Sequence, residues 1–448
     1  MAEKRRSPSA SSSRRSTSDT RRGAQSSRRP RRPSSGQTSR SSGTQRRRGD
    51  TAMKTQWELE QSRREREVQR RKRAEEGREL AKGPIDLPFF LLVLLLTAIG
   101  LIMLLSASFP VAYHKLEDPT HYFVRQGVFA ILGVAVMCLI SKIDYHRFRG
   151  ISKPLLILTF ILLVLVLIPG IGKVRNNARR WIGVGELLTF QPSEIAKLSV
   201  VLFFADSISR KKDQMRTFKE GILPYALILG GIALLMMREP HLSGTVLILG
   251  VGAILMLVGG IQWKWVLGGL GVAGALGYLI IGVLGYGGSR IEMWHNPWID
   301  AQKDGFQMCQ SLLAIGSGGL FGTGLGRGRQ KFGFLPEQHN DFIFSTVCEE
   351  LGLVGATLIM LLFMILILRG YWIALHARDR FGSLLVVGVV SLIAMQTFLN
   401  IGVVTSLLPN TGISLPFFSY GGTALSLQLA EIGVVLSVSR QMKSGKAG

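Results

Sequence analysis

Between residues 85 and 440 the chain alternates long apolar stretches with short polar connections. A helix needs about 20 mostly apolar residues to cross a bilayer. The stretches are apolar on every side, so length and flanking residues define them better than helical periodicity does. The pattern predicts an all-α polytopic membrane protein of about ten transmembrane helices, at 86–108, 124–142, 152–170, 190–208, 222–238, 242–260, 264–285, 341–368, 382–404 and 416–438.

Lysine and arginine gather in every second connection, which indicates how the chain crosses the membrane. The basic connections lie near residues 143–151, 209–221, 261–264 and 369–381, and further basic residues follow the last stretch. The connection LLPNTGISLP between the ninth and tenth stretches has none. Because basic loops stay on the cytoplasmic side, we expect both termini to be cytoplasmic and five connections to face outward.

Two of the outward connections depart from this rule. Residues 171–189 contain KVRNNARRW, which carries four cations. The connection 286–340 is far longer than the usual loop, and loops of that length are commonly functional or disordered. Because it holds several tryptophans and phenylalanines, we expect a large ordered extracytoplasmic loop between spans seven and eight.

The first 84 residues differ from the rest in composition, since they carry +15 of the formal net charge of +25. Residues 1–53 almost lack apolar side chains, which predicts a disordered basic cytoplasmic tail. In residues 54–84, Glu and Arg interleave at spacings that allow i,i+4 pairs, which predicts a charged juxtamembrane helix. We expect the tail to rest on the anionic membrane surface, and nucleic acid is the less favoured partner. The ten-span domain then covers 85–440, and residues 441–448 form a second cytoplasmic tail.

No motif indicates an organic cofactor. The cysteines Cys138, Cys309 and Cys348 lie too far apart in sequence to suggest a metal site or a disulfide framework. The glycine-rich segment 316–330 lacks the lysine and hydroxyl residue that end a phosphate-binding loop. It is also predicted to face outward, where nucleotide is scarce.

Charged residues of both signs collect in the two unusual outward connections. The cations are Lys173, Arg175, Arg179, Arg180, Arg290, Arg327, Arg329 and Lys331, and the acids include Asp300, Asp304, Glu337 and Asp341. Arginines directed at one point suit a di-anionic group such as pyrophosphate. A neighbouring carboxylate suits a general base or a ligand of a divalent cation. In a membrane protein, such a substrate can carry a lipid tail.

Several of these groups also have a structural interpretation. The segment RRWIGVG suits an interfacial helix that Trp181 and its arginines anchor at the headgroups. Asp300 suits the cap of a helix that begins near Ala301. The QPSE sequence at 191–194 suits a helix start.

Four ionisable residues are predicted to lie within or at the edge of a span, where such groups usually pair or function. Glu194 and Lys197 lie in the fourth stretch, and Glu349 and Glu350 lie in the eighth. His339, just before the eighth stretch, suits a supporting role in a site.

Four long motifs, in this order along the chain, resemble those of one family. They are NARRWIGVG…FQPSEIAKL, NPWIDAQKDGFQ, LPEQHNDFIFSTVCEELG and LLPNTGISLPFFSYGGTAL. The chain resembles the SEDS family (shape, elongation, division and sporulation), closest to its FtsW and SpoVE members and related to RodA. The resemblance covers residues from about 86 to 440 and leaves out the basic tail.

The resemblance implies a peptidoglycan glycosyltransferase. Such proteins polymerise lipid II into glycan strands at the outer face of the bacterial cytoplasmic membrane. They work with a class B penicillin-binding protein, a transpeptidase that crosslinks the strands, and with other division or sporulation proteins. For this chain the resemblance implies a multi-pass membrane protein with an extracytoplasmic active site, localised at the division septum.

The resemblance also implies roles for single residues. The family's essential aspartate follows its Asn-Pro-Trp motif, which makes Asp300 the expected catalytic residue and a candidate ligand of Mg²⁺ or Mn²⁺. The family commonly has proline at the next position, where this chain has Ala301, so Asp304 is the alternative. The family's Arg-Arg-Trp and Gln-Pro-Ser-Glu motifs map onto the expected substrate-binding residues Arg179, Arg180, Trp181, Gln191 and Glu194, with Lys197 one turn later. The chemistry and position of the residues themselves add Arg125, Lys331, His339, Asp341 and Glu349 to the expected substrate-binding residues.

Two further segments complete the expectations. Arg125 and Gln126, in the second stretch, are expected to line a groove for a lipid tail. Glu239, Pro240 and His241 replace the family's Gln-Pro-Asp, and no catalytic role is predicted for them.

A transporter or flippase of the lipid-linked precursor is the alternative function. It too needs many spans and cations for pyrophosphate. Transporters usually place the site near the bilayer midplane and often have repeated halves. The polar candidates of this chain instead crowd one face, and no internal repeat is evident, which favours an enzyme.

Overall fold

A computed structural model of the protein describes residues 60, 61, 63–69, 83–175, 178–184, 188–278 and 288–442. The predicted disordered tail 1–53 and residues 443–448 lie outside this part of the chain. Of the predicted juxtamembrane helix, residues 60, 61 and 63–69 are helical. They fall in one compact unit, and residues 83–442 fall in another, which is described below.

Helices dominate the second unit. They are α1 (Leu87–Leu116), α2 (His121–Ser141), α3 (Phe148–Leu167), α4 (Pro192–Lys211), α5 (Leu223–Arg238), α6 (Leu242–Val258), α7 (Trp263–Tyr278), α8 (Gly288–His295), α9 (Phe306–Gly318), α10 (Ile343–Leu375), α11 (Arg380–Val404) and α12 (Gly422–Ser439).

The predicted polytopic membrane architecture is confirmed. Within the described residues, seven helices are long and apolar enough to cross a membrane: α1, α2, α3, α5, α10, α11 and α12. Helix α6 is equally apolar but shorter. Helix α4 carries an ion pair in its first turns, and α7 ends where the description stops, at Tyr278. The number of ten spans therefore stays a prediction.

The helix ends gather in two groups. We call one the Asp86 end; it comprises residues 83–87, 141–150, 210–222, 258–263, 369–381 and 438–442. There Arg369 Nη2 lies 2.7 Å from Asp86 Oδ2, and Asp86 N donates to Ser439 Oγ at 3.2 Å. We call the opposite group the sheet end; it comprises residues 116–121, 168–175, 178–184, 188–191, 238–242, 288–342 and 404–421.

A small antiparallel sheet gives the sheet end its name. It consists of β1 (Gly172–Arg175), β2 (Ala178–Val184) and β3 (Leu188–Phe190), in that order. The interpretation of RRWIGVG as an interfacial helix is therefore wrong. The Trp, Ile and Val of this segment favour a pleated strand once β1 and β3 supply hydrogen-bonding neighbours.

The long connection 286–340, described from residue 288, is ordered and partly buried. Its helix α9 buries Met308, Cys309 and Ser311. The Ser311 hydroxyl lies 2.8 Å from Ser345 Oγ and donates to the Val404 carbonyl at 2.8 Å. These bonds fix α9 against α10 and the end of α11, as the prediction of an ordered loop requires.

Helix α10 is not continuous, although the sequence predicted one uninterrupted span. Gly352 has φ 66° and ψ −170°, a conformation that essentially only glycine adopts. The chain pairs at this break with the glycine-rich segment that follows α9. Leu353 N donates to Gly319 O at 2.9 Å, and Thr323 N donates to Glu349 O at 2.9 Å. The backbone groups that have no partner within the broken helix are thus hydrogen-bonded by the glycine-rich segment.

Candidate functional site

Strand β2 holds the Arg-Arg-Trp motif at the sheet end. The pairing of β1 with β2 is irregular here, because Lys173 pairs with Trp181 and Val174 pairs with Arg179, which leaves Arg180 as the extra residue of a bulge. Arg179 Nη1 donates to the Leu167 carbonyl, at the C-terminus of α3, at 3.1 Å. A Cβ on Gly172 would lie 1.9 Å from the Val166 carbonyl oxygen, so the sheet rests directly on the end of α3.

Arg180 joins the sheet to the connection between α5 and α6. Its Nε donates to the Glu239 carbonyl at 3.3 Å, and its Nη2 donates to the Pro240 carbonyl. The Glu239 side chain is fully buried, and neither carboxylate oxygen has a hydrogen-bond partner in the described part of the chain. Burial raises the pKa of Glu239 to about 8, although the nearby Arg180 cation opposes the shift.

His241 and Gln191 lie beside this contact. Burial, together with the Arg180 and Lys197 cations, lowers the pKa of His241 to about 3. The ring is therefore neutral at physiological pH, and its Nε2 lies 3.0 Å from the Gln191 side-chain nitrogen, so it accepts the amide hydrogen. Gln191, a predicted substrate-binding residue, thus contacts His241, for which the sequence predicted no catalytic role.

Asp341 lies within the electrostatic reach of the same arginine. Burial and the neighbouring Glu337 raise the pKa of this carboxyl to about 6, and Arg180 opposes the shift. Asn400 of α11 fixes the backbone here by donating to the Asp341 carbonyl at 2.7 Å. The predicted substrate-binding residues Arg180 and Asp341 therefore belong to one charged cluster.

His339 contacts aromatic residues from two other segments. Its ring centroid lies 5.0 Å from that of Tyr122 on α2 and 6.1 Å from that of Tyr420. Tyr420 N also donates to the His339 carbonyl at 2.9 Å. The half-buried Arg125 follows Tyr122 by one turn. The three rings form an aromatic wall at the sheet end.

Gln126 does not line a groove for a lipid tail, contrary to the prediction. Its side chain is 1% exposed. Its amide nitrogen donates to the Ser419 carbonyl at 3.2 Å, and its carbonyl accepts from Gly421 N at 3.1 Å. The residue fixes the turn before α12 because both halves of its amide are satisfied by that turn.

Glu194 and Lys197 form an ion pair that faces an interior cavity of about 40 Å³. Lys197 Nζ lies 2.7 Å from Glu194 Oε2, and the lysine is 7% exposed. Glu431 of α12 lines the same cavity and is also 7% exposed. Sequence reasoning missed Glu431, although a single acid within the apolar residues of the last stretch was a usable signal.

Lys331 and Glu349 lie inside the protein and hold the glycine-rich segment. Lys331 is 2% exposed, and its Nζ lies 2.6 Å from Glu350 Oε1 and 2.8 Å from the Ser106 hydroxyl. Glu349 Oε1 accepts from the backbone N–H of Arg329 at 2.6 Å. Both were predicted to bind substrate, and the structure instead places them in internal contacts between this segment, α1 and α10.

Asp300 occupies a turn of its own before α9. It ends the 3₁₀ turn Pro297–Asp300, and its carbonyl accepts from Gly305 N at 3.0 Å. The interpretation of Asp300 as the cap of a helix near Ala301 is wrong, because the next helix begins at Phe306. The half-buried carboxylate makes no hydrogen bond within the described residues, so it is available to a ligand.

The Asp300 turn and the Arg180 cluster both lie at the sheet end. Helix α9 links the turn to two other loops of that end. Gln307 Nε2 donates to the Pro336 carbonyl at 3.3 Å, and Asn410 Nδ2 donates to Gln307 Oε1 at 3.1 Å.

Comparison with known proteins identifies the class. Residues 86–444 match the family model of the FtsW, RodA and SpoVE proteins, which is described as cell cycle protein. A polytopic helical membrane protein with these motifs is what the sequence resemblance implied, and the chain belongs to this family.

Individual relatives agree with that assignment. Stage V sporulation protein E of Bacillus subtilis is 46% identical over 357 residues, which is 79% of this chain and 97% of the relative. A probable peptidoglycan glycosyltransferase FtsW of Geobacter metallireducens is 40% identical over 358 residues, covering 80% of this chain and 95% of the relative.

Two solved structures share the fold. The rod shape determining protein RodA of Thermus thermophilus superposes with a TM-score of 0.59 at 29% identity, over 81% of this chain and 98% of RodA. A chain of a peptidoglycan synthase complex, studied for its coordination of polymerization and crosslinking, gives a TM-score of 0.68 at 28% identity. That match covers 80% of this chain and 98% of the other.

Proposed function

We propose that this protein is a peptidoglycan glycosyltransferase that polymerises lipid II into glycan strands at the outer face of the bacterial cytoplasmic membrane. The observation that carries the proposal is the fixed placement of Arg179 and Arg180 on a strand at the sheet end. In the proposal this end faces outward and both termini are cytoplasmic, as the distribution of Lys and Arg predicts. The names of the relatives support the same activity.

A pyrophosphate substrate explains why these cations lie on the face where membrane proteins usually avoid positive charge. Lipid II carries a lipid tail, a pyrophosphate and a disaccharide-peptide. Negative charge grows on the lipid pyrophosphate as it leaves, and cations held in place beforehand stabilise that charge without reorganisation. Arg179 and Arg180 are held by carbonyl groups of α3 and of the α5–α6 connection, so their positions are set before the substrate arrives.

The transfer is a single displacement. The acceptor sugar hydroxyl oxygen attacks the anomeric carbon of the donor and forms the new glycosidic bond. The bond between that carbon and the pyrophosphate oxygen breaks, and its electron pair leaves with undecaprenyl pyrophosphate. Asp300 accepts the hydroxyl proton as the general base. Attack from the opposite side converts the α-linked donor into a β-1,4 linkage.

A bound Mg²⁺ or Mn²⁺ would add charge stabilisation at the pyrophosphate. Among the described residues, no group of three His, Cys, Asp or Glu side chains is placed to hold a metal ion. Asp300 fits a different kind of site, in which one carboxylate binds Mg²⁺ and substrate phosphates and water complete the coordination.

The proposed partners follow from the family and from the structural match to a peptidoglycan synthase complex. They are a class B penicillin-binding protein and other division or sporulation proteins, with the protein acting at the division septum. The basic N-terminal tail is proposed to rest on the anionic inner leaflet.

The decisive experiment is polymerisation of purified lipid II by the purified protein with its penicillin-binding partner. We expect glycan strands from the wild type and from Asp304→Asn, whose residue is exposed and four positions away, but none from Asp300→Asn. The complex must stay intact in all three, which size-exclusion chromatography verifies.

Equal activity in Asp300→Asn would contradict the assignment of Asp300. Absence of strands with every form, together with movement of lipid II across liposome membranes, would replace the enzyme by the transporter.

A further inference from the structure

A cavity of about 280 Å³ opens at the Asp86 end, far from the proposed active site. It lies between the end of α6, the end of α10 and the start of α11. The residues that argue for a ligand are Val258, Leu375, Arg378, Arg380, Ser383 and Leu384. This lining combines two arginines and a hydroxyl with apolar side chains.

The two arginines give the cavity its charge. Arg378 is exposed and makes no hydrogen bond or ion pair within the residues that the structure describes. Arg380 is fixed, because its Nη2 donates to the Gly259 carbonyl at 2.5 Å. The Arg380 guanidinium is therefore fixed in the cavity lining, whereas the Arg378 guanidinium is able to move toward a bound anion.

The one acid in the lining, Asp379, does not neutralise these arginines. Its carboxylate accepts from the Tyr145 hydroxyl at 2.6 Å, from Arg149 Nη2 at 2.9 Å and from Gly382 N at 3.0 Å. Burial opposes ionisation, but the hydrogen bonds from His146, Tyr145 and Gly382 outweigh it and hold the pKa of Asp379 far below its usual range. Its charge is balanced by Arg149, so the cavity keeps a net positive charge.

The apolar side of the cavity lies where a membrane-spanning helix ends. Leu375, the last residue of α10, is 84% exposed, and Val258, the last residue of α6, is 52% exposed. One turn before Leu375, Trp372 lies under the Arg369 guanidinium, 4.0 Å from its ring centroid. Tryptophan with arginine at a helix end is typical of the headgroup level of a bilayer.

We propose that this cavity binds a phosphodiester anion, supplied by the headgroup of an anionic phospholipid in the leaflet at the Asp86 end. Arg378 and Arg380 bind the phosphate oxygens, and the Ser383 hydroxyl donates to them. Leu375 and Val258 contact the first methylenes of the acyl chains. Non-specific attraction to an anionic membrane needs only positive charge at this end. It would not require a cavity, the fixed position of Arg380, or the hydrogen bonds that keep Asp379 paired with other residues.

The test compares Arg378→Gln and Arg380→Gln with a matched control, Arg216→Gln. Arg216 is also an exposed arginine of the Asp86 end, on the turn Lys212–Arg216, and lies outside the cavity. Each protein is placed in nanodiscs of phosphatidylcholine, with and without phosphatidylglycerol. The readouts are the thermal unfolding midpoint and the number of phosphatidylglycerol molecules retained in native mass spectrometry.

We expect phosphatidylglycerol to raise the unfolding midpoint of the wild type and of Arg216→Gln. Loss of one charge-assisted phosphate contact corresponds to about tenfold weaker binding, so the two cavity variants retain one fewer phosphatidylglycerol and lose most of the rise. Competition by soluble glycerophosphoglycerol, which is a phosphodiester without acyl chains, serves as the second arm. If it fails to compete, the lipid is the source of the phosphate, and if it competes, the site also accepts free phosphate esters.

An equal loss of the response in Arg216→Gln, or a full response in Arg378→Gln, would overturn the proposal. If Arg380→Gln unfolds because it loses the Gly259 contact, Arg378→Gln decides alone, since Arg378 makes no internal bond.

Discussion

The ion pair between Lys331 and Glu350 allows a direct test of two opposed roles for the lysine. The sequence predicted that Lys331 binds substrate, whereas the structure buries it 2.6 Å from the Glu350 carboxylate. In Lys331→Met, that carboxylate stays buried and keeps only the Ser106 hydroxyl at 2.7 Å and the Gly326 N–H at 3.1 Å. Removing one partner of a buried pair costs about 3–5 kcal/mol, because the other charge is left uncompensated.

A double-mutant cycle measures this cost. In Lys331→Met/Glu350→Gln no uncompensated charge remains. We therefore expect the double variant to lose about 2 kcal/mol less unfolding free energy than the two single variants lose in sum. The assay is reversible unfolding of the purified protein in detergent, followed by circular dichroism. Lys303→Met is the control, since Lys303 is exposed and its side chain makes no bond within the described residues; we expect it to unfold like the wild type.

One result would refute this reasoning. If Lys331→Met unfolds like the wild type but no longer binds lipid II, the lysine contacts substrate, and the placement of its side chain between α1 and α10 is wrong.

Three further predictions test separate features. Gly352→Ala should destabilise the protein by about 2–4 kcal/mol, since it forces alanine into a glycine-only conformation and displaces a backbone hydrogen bond. The control Gly316→Ala, in α9 with open space around it, should leave stability unchanged. Equal free energies of unfolding for the two variants would contradict the break in α10. Burial raises the folded-state pKa of Glu239 to about 8, above its unfolded value, so its contribution to stability is present at low pH and is lost as pH rises through about 8. Unfolding midpoints measured from pH 5 to pH 9 should therefore fall more steeply in the wild type than in Glu239→Gln, and parallel curves would contradict the burial of this carboxyl. Glycan synthesis should stop when EDTA removes divalent cations and return with Mg²⁺ or Mn²⁺; activity that persists in EDTA would leave Asp300 as a base alone.

The helices were predictable because about 20 apolar residues in a row are a strong local signal. The sheet was not, since RRWIGVG fits a helix or a strand, and the choice depends on the pairing of Lys173 with Trp181 and of Ile182 with Phe190. The break at Gly352 was also missed. A single glycine within an apolar stretch is compatible with a continuous helix, and only the approach of the glycine-rich segment makes its conformation stable.

For the candidate site, the sequence predicted which residues belong to it better than it predicted how their side chains are oriented. The motifs placed Arg179 and Arg180 in the connection after the third apolar stretch. This was possible because the position of a motif between two apolar stretches can be read directly from the sequence. The burial of Lys331 was not predictable, since the segment that precedes it looked external. The position of Glu349 within an apolar stretch indicated that it pairs or functions, but the sequence did not show which partner it takes. Their orientation is set by the folding of the glycine-rich segment onto α1 and α10, a contact between residues more than 200 positions apart in the case of Lys331 and Ser106.

The break in α10 has a consequence for how the chain enters the membrane. The part after Gly352, residues 353–375, is apolar and about 34 Å long at 1.5 Å per residue, enough to cross the bilayer unaided. The part before it carries Glu349 and Glu350, whose backbone and side chains need partners from the preceding segment. We therefore expect the translocon to release residues 353–375 first as an independent span. The shorter part would join only after synthesis, when the glycine-rich segment reaches it.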